Sequence, residues 1–136
     1  MADCIFCKIA KKEIPSDIVY EDKYTLGFLD IKPVSLGHTL VIPKTHAETL
    51  DKLNENTLGS LIAAVQKISK AINKISEGYN VIQNNKEVAG QVVHHAHFHI
   101  VPRKSGDGIH WERPNPKFSE KQLREIVDKI KQNLTN

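Results

Sequence analysis

The sequence predicts an α+β fold built around an antiparallel sheet, and two observations carry this prediction. Short runs rich in β-forming residues are separated by short polar turns, which is the pattern of neighbouring strands joined by hairpins. One long segment, from about residue 54 to 76, repeats its apolar residues at helical spacing. Because the order of elements is mixed and the strand connections are short, we expect an antiparallel rather than a doubly wound parallel sheet.

The elements are predicted in order along the chain. Strands are expected at residues 17–20, 24–30, 38–43, 79–83 and 92–101, of which the first two form a hairpin. Gly37 leads into the third strand, which closes at Pro43. Gly78 provides a stop for the long helix. Ser119 and Gln122 form a capping box, which predicts a last helix.

Composition bounds the class of protein. A chain of 136 residues with 40% hydrophobic and 26% charged residues fits one globular domain. The net charge of +3 is spread along the helical patterns, so nucleic-acid binding is not expected. No apolar run reaches membrane-spanning length and no secretory signal precedes Cys4, so we expect a cytoplasmic protein with no membrane partner.

Residues 92–101 hold four of the seven histidines. If this segment is one strand, His95, His97 and His99 share a face, with neighbours about 6.7 Å apart. Three such side chains would be costly to bury without polar partners. A metal site, a pH switch and phosphoryl transfer through a covalent imidazole all fit them. The preceding loop, residues 84–91, offers amides and a glycine, which favours phosphate oxygens as the ligand.

The histidine run and four earlier segments together form a family pattern. Residues 89–101 follow the signature His-φ-His-φ-His-φ-φ, in which φ is apolar, and segments 5–9, 13–15, 28–31 and 37–44 precede it in order. About the first hundred residues thereby resemble the histidine triad (HIT) family. The resemblance implies a five-stranded antiparallel sheet with one long helix and short N-terminal and C-terminal helices, paired into a homodimer. It also implies one HIT domain over 1–136, with its core at 3–104 and a C-terminal loop and helix at 105–136.

The resemblance further implies a purine nucleotide pocket. His97 corresponds to the central histidine, which attacks the α-phosphorus and is transiently nucleotidylated before water releases the nucleoside monophosphate. His99 corresponds to the histidine that contacts the phosphate, and Asp30 to the carboxylate that accepts from the ribose hydroxyls. The other expected nucleotide contacts are Asn84 and Gln91 for the phosphate and leaving group, Gly90 for close backbone approach, and Ile5, Phe6, Phe28 and Ile31 for the walls around the base.

Cys4 and Cys7 are separated by two residues, a spacing that fits a redox pair, half of a zinc site or two inert thiols. In a prokaryotic branch of HIT proteins, and in the related galactose-1-phosphate uridylyltransferases, two such cysteines join two histidines around zinc. By that resemblance Cys4, Cys7, His46 and His95 are the expected ligands of a structural Zn²⁺. Two thiolates and two neutral imidazoles would balance the charge of the ion, as in a closed four-coordinate site.

Val92 departs from the family pattern, because many members carry a Ser or Thr hydroxyl there that assists the leaving group. This departure, together with the basic pair Arg103 and Lys104 after the strand, favours dinucleoside polyphosphates over adenosine phosphoramidates as substrates. A non-catalytic purine nucleotide sensor and a zinc-handling protein are the alternative functions. His38 and His110 are expected to be structural or surface residues.

Overall fold

A computed structural model describes residues 3–134, and over that range the chain forms a five-stranded antiparallel sheet with three α-helices. In chain order the elements are α1 (Ile5–Ala10), β1 (Ile18–Glu21), β2 (Thr25–Leu29), β3 (Thr39–Pro43), a 3₁₀ turn (Leu50–Lys52), α2 (Glu55–Asn73), β4 (Gly78–Gln83), a second 3₁₀ turn (Glu87–Ala89), β5 (Phe98–Arg103) and α3 (Glu120–Gln132). The strand order is β1-β2-β3-β5-β4. This confirms the predicted fold class. The domain boundaries stay a prediction, and residues 1, 2, 135 and 136 lie outside the described residues.

The sheet separates two apolar clusters because alternate residues of a strand point to opposite faces. On one face α2 packs its buried residues against the sheet, and the cluster contains Val41, Leu61, Ala64, Val65, Ile68, Ile72, Phe98 and Ile100. Gly27 lets α2 approach closely, since a Cβ there would lie 2.7 Å from Ile68 Cδ1. The other face is covered by α1, and its cluster contains Phe6, Ile9, Leu26, Phe28, Leu40 and Ile42.

The long helix is shorter than predicted. Asn54 caps its N-terminus, with Oδ1 accepting from the backbone N–H of Thr57 at 2.8 Å. The helix ends at Asn73 rather than Ser76, and the backbone N–H groups of Lys74 and Ile75 donate to carbonyls three residues earlier. Ile75 is 80% exposed, so burial does not extend the helix there.

The fifth strand begins at Phe98, so the prediction of a strand from residue 92 is wrong. Its partner β4 ends at Gln83, which pairs with Phe98, and residues 92–97 therefore have no strand beside them on that side. The backbone N–H of Ala96 donates to the carbonyl of Ala47 instead, at 2.7 Å. Strand geometry therefore does not position His95 and His97, although the rings of His97 and His99 lie 4.9 Å apart and Phe6 contacts the rings of both His95 and His97.

The C-terminal helix α3 begins with the predicted capping box of Ser119 and Gln122, and none of its residues is buried. Its apolar side chains are each about half exposed within the single chain, and they are Leu123, Ile126, Val127 and Ile130. Between residues 3 and 134 no helix is both long and apolar enough to cross a membrane.

Candidate active site and metal-binding cluster

A bent segment, residues 91–97, leads into β5 and carries two of the three expected histidines. The ring of His95 is fully buried, and its Nε2–H donates to the carbonyl of Pro43 at the end of β3, at 2.8 Å. His97 is 5% exposed, and its Nδ1–H donates to the backbone carbonyl of His95 at 2.6 Å. Because a carbonyl oxygen only accepts, both contacts fix which ring nitrogen carries the proton. The segment thus holds two oriented imidazoles without a strand ladder.

The tautomer of His97 leaves a lone pair on Nε2. Its ring lies 4.9 Å from that of His99 and 5.0 Å from that of Phe6, centroid to centroid. Burial lowers the pKa of His97 below its ordinary value, opposed by the hydrogen bond to His95 and the charge of Asp30. At neutral pH the ring is therefore neutral, and Nε2 can act as a nucleophile.

His99 lies in β5 opposite Leu40, which places it on the face of the sheet covered by α1. Its Nδ1 is 2.9 Å from Nε2 of His38, a residue that is only 3% exposed. Nδ1 of His38 in turn accepts from the backbone N–H of Val34 at 3.0 Å. The expectation that His38 is an ordinary structural or surface residue misses this contact.

Asp30 joins the same group from the end of β2. Its backbone N–H donates to the carbonyl of His38 at 2.9 Å, and its Oδ2 lies 3.6 Å from His38 Nε2. Its Oδ1 accepts from the N–H of Lys32 at 2.9 Å. The sequence contained a signal for this pair, because antiparallel strands at 24–30 and 38–43 place residue 30 opposite residue 38.

Burial is the main cause of the lowered histidine pKa values in this region. It lowers the pKa of His99 to about 4, assisted by the charges of His97 and His38 and opposed by Asp30. It lowers the pKa of His95 to about 4, opposed by the hydrogen bond to Pro43. It also lowers the pKa of His38, opposed by Asp30. Neutral imidazoles therefore fill the site at pH 7, and the contact between His38 and Asp30 is not an ion pair.

The four predicted metal ligands converge. Nδ1 of His95 lies 3.4 Å from Cys4 Sγ, 3.6 Å from Cys7 Sγ and 3.2 Å from His46 Nδ1. Cys7 Sγ lies 3.4 Å from His46 Nδ1. Because Nε2 of His95 donates to Pro43, its Nδ1 presents a lone pair to the cluster. The two thiols and two imidazoles could together bind a metal ion.

Asp30, His38 and His99 form a second group whose ligand atoms lie within 4.8 Å of one another. This group does not match a metal site. Nδ1 of His38 accepts a hydrogen bond from Val34, so in the neutral ring Nε2 carries the proton and has no lone pair for a metal.

Some of the residues predicted to bind the nucleotide lie close to the histidines of the site. Phe6 and Phe28 are buried and make an edge-to-face contact at 5.5 Å, with Phe6 also against His97. Ile5 and Ile31 are exposed, at 41% and 85%. Gly90 has a φ of +96° and lies beside Asn84, whose Nδ2 would be 3.4 Å from a Cβ at position 90. Their contacts with a nucleotide stay predictions.

The side chain of Gln91 is buried and engaged at both ends. Its Oε1 accepts from the N–H of Lys86 and its Nε2 donates to the carbonyl of Glu48, each at 2.7 Å. These bonds close the 84–91 loop onto the segment after β3. The predicted role of Gln91 at the phosphate stays a prediction, and the structure adds this loop-closing role.

Arg103 is placed differently from the expectation that it meets extra phosphates. Its guanidinium donates to both carboxylate oxygens of Asp107, at 2.7 and 3.1 Å, to Asn80 Oδ1 at 2.8 Å and to the carbonyl of Ile109 at 2.8 Å. It also lies four residues along β5 from His99, which is about 13 Å at strand rise. Arg103 therefore organises the loop after β5.

Known proteins resemble this chain along most of its length. The HIT domain family matches residues 11–106. An adenosine 5′-monophosphoramidase from Schizosaccharomyces pombe is 42% identical over 130 residues, which cover 93% of this chain and 95% of the relative. A HIT family crystal structure from Bacillus subtilis has a TM-score of 0.89 and 41% identity, covering 98% of this chain and 99% of that one. A zinc-bound histidine triad family protein from Mycobacterium smegmatis has a TM-score of 0.76 and 36% identity, covering 96% and 97%.

Proposed function

This chain belongs to the HIT family, and we propose that it hydrolyses adenosine phosphoramidates with His97 as the nucleophile. The observation that carries the proposal is the tautomer of His97: Nδ1–H is bound to the carbonyl of His95, and Nε2 of a buried neutral ring is left as the attacking atom. The activity named for the Schizosaccharomyces pombe relative supports phosphoramidates as the substrate class. The guanidinium of Arg103 is bound by Asp107, which leaves Lys104 as the member of the basic pair that could meet extra phosphates of a dinucleoside polyphosphate.

In the proposed reaction His97 Nε2 attacks the α-phosphorus and forms a P–N bond while the bond to the leaving nitrogen breaks. The leaving amine takes a proton, and water then attacks the same phosphorus, which releases adenosine monophosphate and restores the imidazole. A Ser or Thr hydroxyl at position 92 is absent from this chain, and Val92 is 86% exposed. The leaving group therefore receives its proton from another donor or from water.

We also propose that zinc occupies the cluster of Cys4, Cys7, His46 and His95. Tetrahedral coordination with Zn–S of about 2.3 Å and Zn–N of about 2.0–2.1 Å requires about 3.5 Å between sulfur and nitrogen ligands and about 3.3 Å between two nitrogens. The sulfur–nitrogen contacts of 3.4 to 3.6 Å and the nitrogen pair at 3.2 Å agree with these values. When bound, the ion supplies a structural cross-link between the start of α1 and the bent segment.

A homodimer is proposed on the family resemblance. The half-exposed apolar side chains of α3 and the exposed Tyr79 and Val81 on edge strand β4 support it, because such surface is often covered by a second chain. Sedimentation at several protein concentrations tests it.

A cytoplasmic location stays a prediction from the sequence.

The test of function uses purified protein with adenosine phosphoramidate and, separately, with diadenosine tetraphosphate. The proposal expects faster release of adenosine monophosphate from the phosphoramidate, and a phosphorus adduct on the peptide containing His97 after rapid acid quench. His97→Ala should bind adenosine monophosphate but give neither product nor adduct. Tight binding without turnover by the unchanged protein would instead indicate a nucleotide sensor. More than one metal per chain, lost on changing His97 or His99, would indicate a zinc-handling protein.

A further inference from the structure

We propose that His38 is a positioning residue that holds His99 in the tautomer with the proton on Nε2, so that His99 serves the reaction as a hydrogen-bond donor. The observation that supports this is a series of two hydrogen bonds, which runs from the N–H of Val34 through the ring of His38 to Nδ1 of His99. The consequence for catalysis rests on the function proposed above. The tautomer assignment itself does not.

The backbone N–H of Val34 sets the direction of both hydrogen bonds. A peptide N–H donates and cannot accept, so Nδ1 of His38, 3.0 Å from Val34 N, must present a lone pair. A neutral imidazole has one N–H, which then sits on Nε2. Only 2.9 Å separates this atom from Nδ1 of His99, so His99 must accept there and its own proton lies on Nε2.

Asp30, the carboxylate beside His38, does not reverse this assignment. Oδ2 of Asp30 lies 3.6 Å from Nε2 of His38, beyond the length of a good hydrogen bond, while His99 Nδ1 is at bonding distance. The opposite tautomer of His38 would point its Nδ1–H at the N–H of Val34 in a site where the ring is 3% exposed. Burial also keeps His38 neutral at pH 7, because it lowers the pKa of the ring.

The result is a division of roles between two neighbouring imidazoles. His97 donates through Nδ1 to a carbonyl and keeps a lone pair on Nε2, whereas His99 accepts at Nδ1 and keeps a proton on Nε2. Their rings are 4.9 Å apart, so one phosphoryl group can meet both. His97 is suited to attack phosphorus, and His99 is suited to donate to an oxygen on which charge develops.

Two variants separate positioning from a merely structural role. The amide of His38→Gln reaches the ε position and can still donate to His99, but it lacks the acceptor for Val34. The amide of His38→Asn reaches only the δ position, so it keeps an acceptor for Val34 and loses the donor to His99. If His38 positions His99, the Gln variant should be more active than the Asn variant. If His38 only holds the 34–38 turn, the Asn variant should be the more active of the two.

The experiment combines turnover of adenosine phosphoramidate with ¹⁵N NMR of the histidine rings in the resting protein. We expect His99 to show an unprotonated Nδ1 and a protonated Nε2, and His38→Asn to lower kcat by about a hundredfold, the effect of removing one preorganised donor, with a smaller loss for His38→Gln. A protonated Nδ1 on His99, or an Asn variant at least as active as the Gln variant, overturns the proposal. Absence of turnover in the unchanged protein would count against the proposed function, and the ring tautomer would still decide the role of His38.

Discussion

Replacing Cys7 by serine should remove bound zinc and lower the melting temperature together. Its sulfur lies 3.4 Å from His46 Nδ1 and 3.6 Å from His95 Nδ1, so it contacts both imidazoles of the cluster. Serine does not supply a thiolate, and metal-binding free energy is folding free energy when the unfolded chain lacks the site. Cys4→Ser should act in the same direction, since Cys4 Sγ lies 3.4 Å from His95 Nδ1.

The size of the effect follows from mass action. At free zinc a thousandfold above Kd, the ion stabilises the folded state by about 4 kcal/mol. A ligand loss that raises Kd about a hundredfold removes about 2.7 kcal/mol of this. For a domain of 136 residues, each kcal/mol corresponds to about 3–6 °C, so the melting temperature should fall by roughly 8–16 °C.

The assay is a thermal melt paired with elemental analysis of protein purified without chelator. About one zinc per chain is expected for the unchanged protein, as in a Cys2His2 site, and less for the variants. Histidine 94 offers a matched control, because it is adjacent to His95 but its side chain is 60% exposed, so His94→Ala should keep both zinc and stability. Metal-free protein, or cysteine variants that melt at the same temperature as the unchanged protein, would show that the cluster holds no structural zinc and that the cysteines are ordinary thiols.

Three further outcomes are expected. Asp30→Ala should weaken nucleotide binding through the ribose, so isothermal titration should show a smaller loss with a 2′,3′-dideoxy nucleotide, and equal losses would exclude that role. Val92→Ser should raise kcat/KM for phosphoramidates more than for dinucleoside polyphosphates, because an amine needs a proton more than a nucleotide does; an unchanged ratio would assign the proton to another donor. Because burial lowers the pKa of folded His99 to about 4 against about 6.5 when unfolded, the unfolded state binds more protons between these values, so the free energy of unfolding should decline as pH falls from about 6.5 to 4. Chemical denaturation across that range should show a shallower decline for His99→Phe, and parallel curves would contradict the assignment.

Local patterns in the sequence were sufficient to predict most of the fold. The helical spacing of apolar residues locates α2, and the short β-rich runs locate β1 to β4, because these signals depend on neighbours along the chain. The start of β5 was predicted wrongly for the opposite reason. Residues 92–97 run directly into β5 and contain two valines, but β4 ends at Gln83, and the backbone N–H of Ala96 donates to the carbonyl of Ala47 instead. A strand needs a partner, and the end of the partner is not visible in the strand's own sequence.

In the candidate site too, local sequence patterns predict some residues, whereas contacts between distant segments are not predicted. The four metal ligands were predicted through a family resemblance, and the structure brings them together from three separate segments. The sequence does not reveal the position of His38, because its contacts with the N–H of Val34 and with Nδ1 of His99 do not follow from residue type. The ion pair of Arg103, the last residue of β5, with Asp107 is not visible in the sequence, because a basic residue at a strand end looks the same whether it is free or paired.

His95 links the metal cluster to His97, the proposed nucleophile, through three of its atoms. Its Nδ1 faces the two cysteines and His46, its Nε2 donates to Pro43, and its backbone carbonyl accepts from Nδ1 of His97. The first two contacts fix the ring from both sides, and a fixed ring restrains the peptide whose carbonyl selects the tautomer of His97. If zinc occupies the cluster and His97 is the nucleophile, as proposed, the metal affects catalysis without touching substrate, because its ligand His95 holds the carbonyl that keeps the proton of His97 on Nδ1 and the lone pair on Nε2.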